Sequence, residues 1–313
     1  MKEPRGDELV RRYVARYGNV PDCEITEEMV LQHWELEKAL TQELLESTPE
    51  NRWEVFERCY TALYGELQWL NERTRVGTAS TPSALRYADW LAMIGPSARR
   101  IYEIGSGKGD MIKYLASCGY ECKGAEITSE RGEKHVGDVA NLSWGITDGI
   151  HLDRFEDPNA WDAVITNQVI EHFHPDDVLE HFASAYCILR SGGRYIGCTP
   201  HRAVGPSDLS AVFNYEVASG MHLKEYTNSE IASLLRKAGF RRVAAPLMTP
   251  QKLQKLFRLK KGRPRLSRAY VYYLRMLETI VDLLPRQRYK RQAARLLKPL
   301  MFKSSVWLVA EKN

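Results

Sequence analysis

At 313 residues, 44% hydrophobic and 27% charged, the chain has an ordinary globular composition, with enough length for one large core or two modest ones. No apolar run approaches the roughly 20 residues of a membrane span, and the charged N-terminus MKEPRGDELVRRYVARYG lacks the apolar centre of a signal peptide. The net charge of +4 conceals an asymmetry: Gln251 to Lys303 holds 16 basic residues against two acids, or +14, leaving −10 on the rest.

Residues 1 to about 80 read as helices with loops between them. A helix from about Thr26 to Ser47 puts Leu36, Leu40 and Leu44 on one face. Trp53, Phe56, Tyr60, Leu63, Leu67 and Leu70 recur at steps of three and four, an apolar stripe suited to packing. A linker, Gly77 to Ser83, leads into a helix over Ala84 to Ile94. The six cysteines, at 23, 59, 118, 122, 187 and 198, show no metal-ligand pairing and are expected to be reduced and buried in a cytoplasmic protein.

Arg99 to Thr128 reads as strand, glycine loop, helix, strand. Ile101, Tyr102 and Ile104 stop at Gly105, and Gly105, Gly107 and Gly109 allow a tight turn against a ligand. The helix starts at Asp110, carries Met111, Ile112 and Leu115, and ends at Gly119. The second strand, Glu121 to Ile127, brings Glu126 21 positions after the first glycine, where a carboxylate reaches the hydroxyls of a ribose. Glu103 and Asp110 make the loop acidic, which repels a pyrophosphate and suits a cationic nucleoside cofactor.

Further on, Leu142 to Gly149 forms a third strand closed by Asp148. A fourth, Ala163 to Thr166, runs into Asn167-Gln168-Val169-Ile170-Glu171-His172, and Pro175, Asp176 and Asp177 start the next helix. The fifth strand, Arg194 to Thr199, follows Gly192-Gly193 and ends on Thr199-Pro200-His201-Arg202. After an insertion from Ala203 to Met221, His222-Leu223-Lys224-Glu225-Tyr226 leads to a capping box, Thr227 and Glu230, and a helix ending at Gly239. Strand six is about Arg241 to Ala245 and the last strand Ser305 to Ala310. The polar clusters sit at carboxyl ends of parallel strands, where open α/β sheets bind ligands.

Glu103-x-Gly105-x-Gly107-x-Gly109 on a first strand, with the acid Glu126 ending the second, resembles motif I and its partner in class I S-adenosylmethionine (SAM) methyltransferases. Asp162 to His172 and Gly192 to Pro200 are similar to that family's fourth and fifth strands, so the likeness spans roughly 85 to 247 plus the last strand. It implies an α/β fold: a Rossmann-like seven-stranded sheet with strands six and seven as an antiparallel hairpin. The division it suggests is a helical extension folding as a lid (1–80), a SAM-binding core (81–250), a basic helical insertion (251–303) and the last strand (304–313). So long a connection needs structure of its own: within it Leu266 to Leu284 is rich in tyrosine and aliphatics, and Arg286 to Lys303 reads as a basic amphipathic helix. The cofactor-binding set it implies is Glu103, Gly105, Ser106, Gly107, Gly109, Glu126, Ile127, Asp148, Asn167 and Gln168.

Transfer to a hydroxyl needs a base or a metal within reach. Candidate catalytic residues are His172, Glu171, His201 and His222, with His172 first because strand four delivers it beside the cofactor. Gln168-x-x-Glu171-His172 partly resembles the Glu-x-x-Glu-His of metal-dependent small-RNA 2′-O-methyltransferases and ubiquinone-pathway O-methyltransferases. That likeness makes Glu171, His172 and His222 secondary candidates for a divalent metal, although Gln168 departs from the pattern. The favoured expectation is an O-methyltransferase with a sugar, lipid-linked or specialised-metabolite acceptor, the basic insertion meeting an anionic membrane surface. The alternatives are an RNA 2′-O-methyltransferase, a small-molecule N-methyltransferase, an oligomer-forming insertion and an inactive SAM-binding partner protein.

Overall fold

The computed structural model describes residues 3–18, 20, 23–67, 69, 82–128, 137–247, 264–297 and 305–313. Eight strands form one sheet in the order β3-β2-β1-β4-β5-β8-β6-β7. They are β1 (Arg100–Ile104), β2 (Glu121–Glu126), β3 (Leu142–Ile146), β4 (Trp161–Asn167), β5 (Leu189–Pro200), β6 (Arg242–Leu247), β7 (Arg265–Ser267) and β8 (Ser305–Glu311). The first five pair in parallel, while β8 runs antiparallel to both β5 and β6.

Period-two alternation divides the strands between two covered faces. Tyr102, Ile104, Val164 and Tyr195 pack under α7 (Val178–Ile188), α8 (Asn228–Lys237) and α9 (Arg268–Asp282). Ile101, Ala163, Ile165 and Ile196 pack under α5 (Ala88–Ile94) and α6 (Asp110–Ser117). The expected capping box at α8 is formed, with both reciprocal bonds between Thr227 and Glu230.

Several expected boundaries shift. The sheet has eight strands rather than seven, because Arg265–Ser267 of the basic segment pairs antiparallel with Ala245–Leu247 and covers an edge otherwise left with unpaired backbone. Three residues are too few to show an alternating pattern. The helix expected over Ala84 to Ile94 breaks at Tyr87 into α4 (Ser83–Arg86) and α5. Strand three ends at Ile146, so Asp148 lies in the turn beyond it. Cys23 and Cys118 are exposed rather than buried, and Cys59, Cys122 and Cys198 are buried. The linker expected from Gly77 lies outside the described residues up to 81, as do 251–263 and 298–303 of the basic segment.

The N-terminal helices α1 (Gly6–Tyr17), α2 (Glu27–Glu46) and α3 (Arg52–Glu66) carry the expected apolar faces. Leu40, Leu44, Phe56, Leu63 and Leu67 pack with Met221, and Leu9, Tyr13, Val30 and Trp34 pack with Leu209, Val212 and Phe213. Arg52 ties α3 down by an ion pair with Asp177, just before α7. Residue Leu70 of the predicted stripe lies outside the described residues.

Candidate active site

The carboxyl ends of β1 to β4 open into a cavity of about 600 Å³ that α1, α2 and α3 roof over with Tyr17, His33, Glu37, Phe56, Tyr60, Leu63 and Tyr64. A volume of this size is typical of sites that hold a ligand of cofactor or drug size, roughly 300–1,000 Å³. Of the predicted cofactor residues, Gly105, Gly107, Glu126, Ile127, Asp148, Asn167 and Gln168 line it, whereas Glu103, Ser106 and Gly109 do not.

The glycine loop is pinned to the end of β2. Gly105 N–H and Ser106 N–H both donate to Ala125 O, at 2.8 and 3.3 Å, and Gly107 N–H donates to the Glu126 carboxylate. Gly105 lies at φ +66, and a Cβ there would stand 2.4 Å from Val169 Cγ2. Only a residue without a side chain lets the two loops meet this closely. Ser106 Oγ bonds back to Glu103 O at 2.9 Å and Gly109 caps α6, so these two shape the loop from behind.

Glu103 is 3% exposed, and its Oε2 has no hydrogen-bond partner. Burial first, then the charge of Glu126, pushes its carboxyl well above the usual carboxylate range. Asp148 spends its carboxylate on its own turn, accepting from Ile150 N–H at 2.8 Å and His151 N–H at 2.9 Å and meeting His151 Nδ1 at 2.6 Å. Its place in the cavity is therefore as a built loop rather than an uncommitted acid.

Beyond β4, Gln168 takes φ +59, donates its N–H to Cys198 O at 2.7 Å and its Nε2–H to Cys198 Sγ at 3.3 Å. A single 3₁₀ turn, Ile170–His172, then brings Glu171 and His172 to the cavity. Glu171 is fully buried. Its Oε2 accepts from Thr199 Oγ1 at 2.8 Å, its Oε1 has no partner, and burial raises its pKa to about 7. His172 Nδ1 bonds Met221 O at 2.8 Å, which makes Nδ1 the protonated nitrogen and leaves the lone pair on Nε2. His222 Nδ1 bonds Glu225 Oε1 at 3.0 Å, and Glu225 with the neighbouring acids raises the His222 pKa against the opposing effect of burial.

The structure thus joins three of the four predicted catalytic residues. One ligand atom from each of Glu171, His172 and His222 lies within 4.8 Å of the others. Gln168 lines the same cavity and gives its side-chain amide to Cys198 Sγ. His201 does not line this cavity: it is buried, with Nε2 2.8 Å from Glu278 Oε1 on α9. Sequence reasoning missed His33, Glu37, Tyr60 and Asp208, all of which line the cavity. The four-residue spacing of His33 and Glu37, and the place of Tyr60 on a helical stripe, were the available signals.

A parallel sheet whose first loop is rich in glycine, whose second strand ends in an acid bonded to that loop, and whose edge is antiparallel defines a nucleoside-cofactor fold of the Rossmann type. The sequence matches the family model described as a methyltransferase domain over residues 82–245, and the chain belongs to that family. It is a class I SAM-dependent methyltransferase. No curated protein matches the sequence.

Among solved structures, a SAM-dependent methyltransferase from Archaeoglobus fulgidus is 17% identical, over 73% of this chain and 91% of its own, with a TM-score of 0.46. Haemonchus contortus phosphoethanolamine N-methyltransferase 2 is 16% identical over 85% and 61%, with a TM-score of 0.49. Burkholderia thailandensis 1,6-didemethyltoxoflavin-N1-methyltransferase is 21% identical over 70% and 88%, with a TM-score of 0.46.

The cofactor is SAM, and the residues present fit it. The carboxylate of Glu126 stands at a loop of bare backbone, which suits a ligand carrying a sulfonium and an ammonium, and Glu103 keeps a buried, unpartnered oxygen at the start of that loop. Ile104, Ile127, Val169 and Phe173 add apolar walls. Among the described residues no helix is long and apolar enough to cross a membrane.

Proposed function

We propose that the enzyme methylates a hydroxyl of a small or lipid-linked acceptor, with His172 as the general base. SAM, when bound, supplies an electrophilic methyl on a positively charged sulfur. The observation that carries the reading is the Nδ1 bond from His172 to Met221 O, which fixes the tautomer with its lone pair on Nε2 in the cavity shared with Gly105, Gly107 and Glu126. His172 takes the hydroxyl proton at Nε2 as the acceptor oxygen attacks, and the Met221 carbonyl steadies the resulting imidazolium. The roof from α1 to α3 limits water, which favours an in-line displacement between positioned partners. Glu103, Glu126 and the glycine loop hold the cofactor in this reading, and Asp148 shapes the adenine end. A tritiated-methyl transfer assay in lysate of the native host, with identification of the labelled product, tests it. A methyl ester, thioether or methylamine as the product overturns the hydroxyl assignment.

The Glu171, His172 and His222 cluster favours a second reading, metal-assisted transfer. Two imidazoles backed by Met221 O and Glu225, plus one carboxylate with an unpartnered oxygen, make a donor set for a borderline cation more than for Mg²⁺. These residues would hold the ion, which would lower the pKa of the acceptor hydroxyl. Full activity after exhaustive chelation, with no metal recovered from the protein, ends this reading.

We also propose that the basic segment docks on an anionic lipid surface. In α9 the residues Val271, Leu274, Leu277 and Val281 are buried, while Tyr272, Tyr273, Met276 and Ile280, with Leu283 capping the helix, make a second, exposed apolar stripe. Arg265, Arg268, Arg286, Arg288 and Arg295 of the same segment are exposed, and each basic side chain near an anionic membrane contributes about 1 kcal/mol. Co-sedimentation with phosphatidylserine vesicles but not phosphatidylcholine vesicles is the expected result. Equal recovery with both, or with neither, overturns it.

A further inference from the structure

We propose that the methyl acceptor is a small molecule bearing a protonated amine, and that the carboxylate of Glu37 receives that amine. This rests on the reading of the cavity as the acceptor site, and it names the class of molecule that enters it.

Glu37 stands on α2, 7% exposed, and lines the cavity. Its Oε1 accepts from His33 Nε2 at 2.9 Å, and His33 Nδ1 in turn meets the Tyr13 hydroxyl at 2.9 Å. This relay fixes one carboxylate oxygen and the direction of the group. The other oxygen, Oε2, is buried and has no partner among the described residues. Glu171, also a cavity residue, repeats the pattern with Oε1, and the hydroxyl of Tyr60, on the same cavity, is buried and unpartnered as well. Burial, Tyr64 and the charges of Glu171, Glu37 and Glu126 push the Tyr60 phenol well above its ordinary value, so it remains a hydrogen-bond donor.

A buried oxygen left without a donor is destabilising, and more so when it is charged. Several such groups on one cavity are therefore expected to be satisfied by what the cavity holds. Two acceptors and one donor match a ligand with an ammonium and a hydroxyl.

The surrounding charge selects the same class. Asp208, also on the cavity wall, has its carboxylate filled by Ser210 N–H and Oγ–H, Ser219 N–H and Gly220 N–H, yet its charge still contributes. Among the described lining residues there is no lysine or arginine, and the basic groups are His33, His172 and His222. Unlike charges brought close together in a site screened from water attract more strongly than in bulk solvent. A phosphate or carboxylate on the reacting end is opposed, a neutral polyol is tolerated, and an ammonium is drawn in. The cavity thus argues for an amino sugar or amino alcohol, and against RNA.

The test is calorimetry on protein saturated with S-adenosylhomocysteine, using glucosamine, glucose and glucose 6-phosphate as matched cationic, neutral and anionic probes. Glucosamine is expected to bind at least about tenfold more tightly than glucose, with the phosphate weakest. Glu37→Gln should reduce the glucosamine preference to under about threefold, while S-adenosylhomocysteine binding, which reports an intact fold, stays unchanged. Equal binding of glucosamine and glucose, tighter binding of the phosphate, or binding of no probe overturns the proposal. Mapping the labelled methyl on the glucosamine product separates the two readings. Selectivity with methylation on nitrogen removes the hydroxyl assignment and leaves the amine site, and hydroxyl methylation without selectivity does the reverse.

Discussion

The rings of His172 and His222 stand edge to face, their planes 83° apart and their centroids 4.9 Å apart, and each gives its Nδ1 to a different anchor, Met221 O or Glu225. One anchor is a neutral carbonyl and the other a carboxylate, so the two imidazoles meet different surroundings although they share one corner of the cavity. The hydrogen bond and charge of Glu225 help to raise the His222 pKa against the effect of burial.

His172→Ala is expected to lower turnover about 10²- to 10⁴-fold, the range for loss of a general base. Binding of S-adenosylhomocysteine, measured by calorimetry, should stay within about threefold of the parent protein. A parallel loss of both would assign His172 to packing instead.

Gly105 and Gly107 separate backbone conformation from space. Gly107 lies at φ +58 with nothing within 4 Å of the point a Cβ would occupy, so Gly107→Ala should cost only the left-handed backbone penalty, about 1–2 kcal/mol. Gly105→Ala adds a collision with Val169 and should cost about 2–5 kcal/mol and abolish cofactor binding. Urea denaturation and S-adenosylhomocysteine titration of the two variants check the order.

Glu278 accepts from His201 Nε2, Asn228 N–H, Asn228 Nδ2–H and Ser229 N–H, joining the exit of β5 to the start of α8. Although burial opposes it, the bonds and charge of His201 with those of Asn228 and Ser229 bring the Glu278 carboxyl below its usual pKa. The folded form therefore binds this proton less readily than the unfolded form. The stabilisation is complete above the ordinary carboxylate pKa and is lost as pH falls through the lower folded value. Glu278→Gln should cost about 3–5 kcal/mol at neutral pH and flatten the acid limb of the stability curve in denaturation measurements.

His181 is buried under the cavity floor, with Nδ1 2.6 Å from Gly149 O and Nε2 2.8 Å from the Tyr195 hydroxyl. Burial brings its pKa down from 6.5 to about 4. As pH falls the unfolded chain takes the proton first, so the stability from the neutral ring is full above pH 6.5 and drains away down to about pH 4. The total is about 3 kcal/mol. Thermal melts across this window should fall in the parent protein and fall less in His181→Gln.

Local pattern alone disclosed the glycine loop, the acid 21 positions on and the capping box at α8. Each depends on residues within one short strand-loop-helix-strand unit or one helical turn, where spacing dictates geometry. Tertiary structure decided the rest. His201 and Glu171 both leave or flank β5 and β4, yet one is captured by Glu278, 77 positions away, and the other reaches the cavity. His33, Glu37 and Tyr60 look like ordinary helical positions until α2 and α3 fold across the sheet's carboxyl edge. A residue's chemistry in a site is set by which distant charges and hydrogen-bond partners surround it, and that depends on the folding of the whole chain.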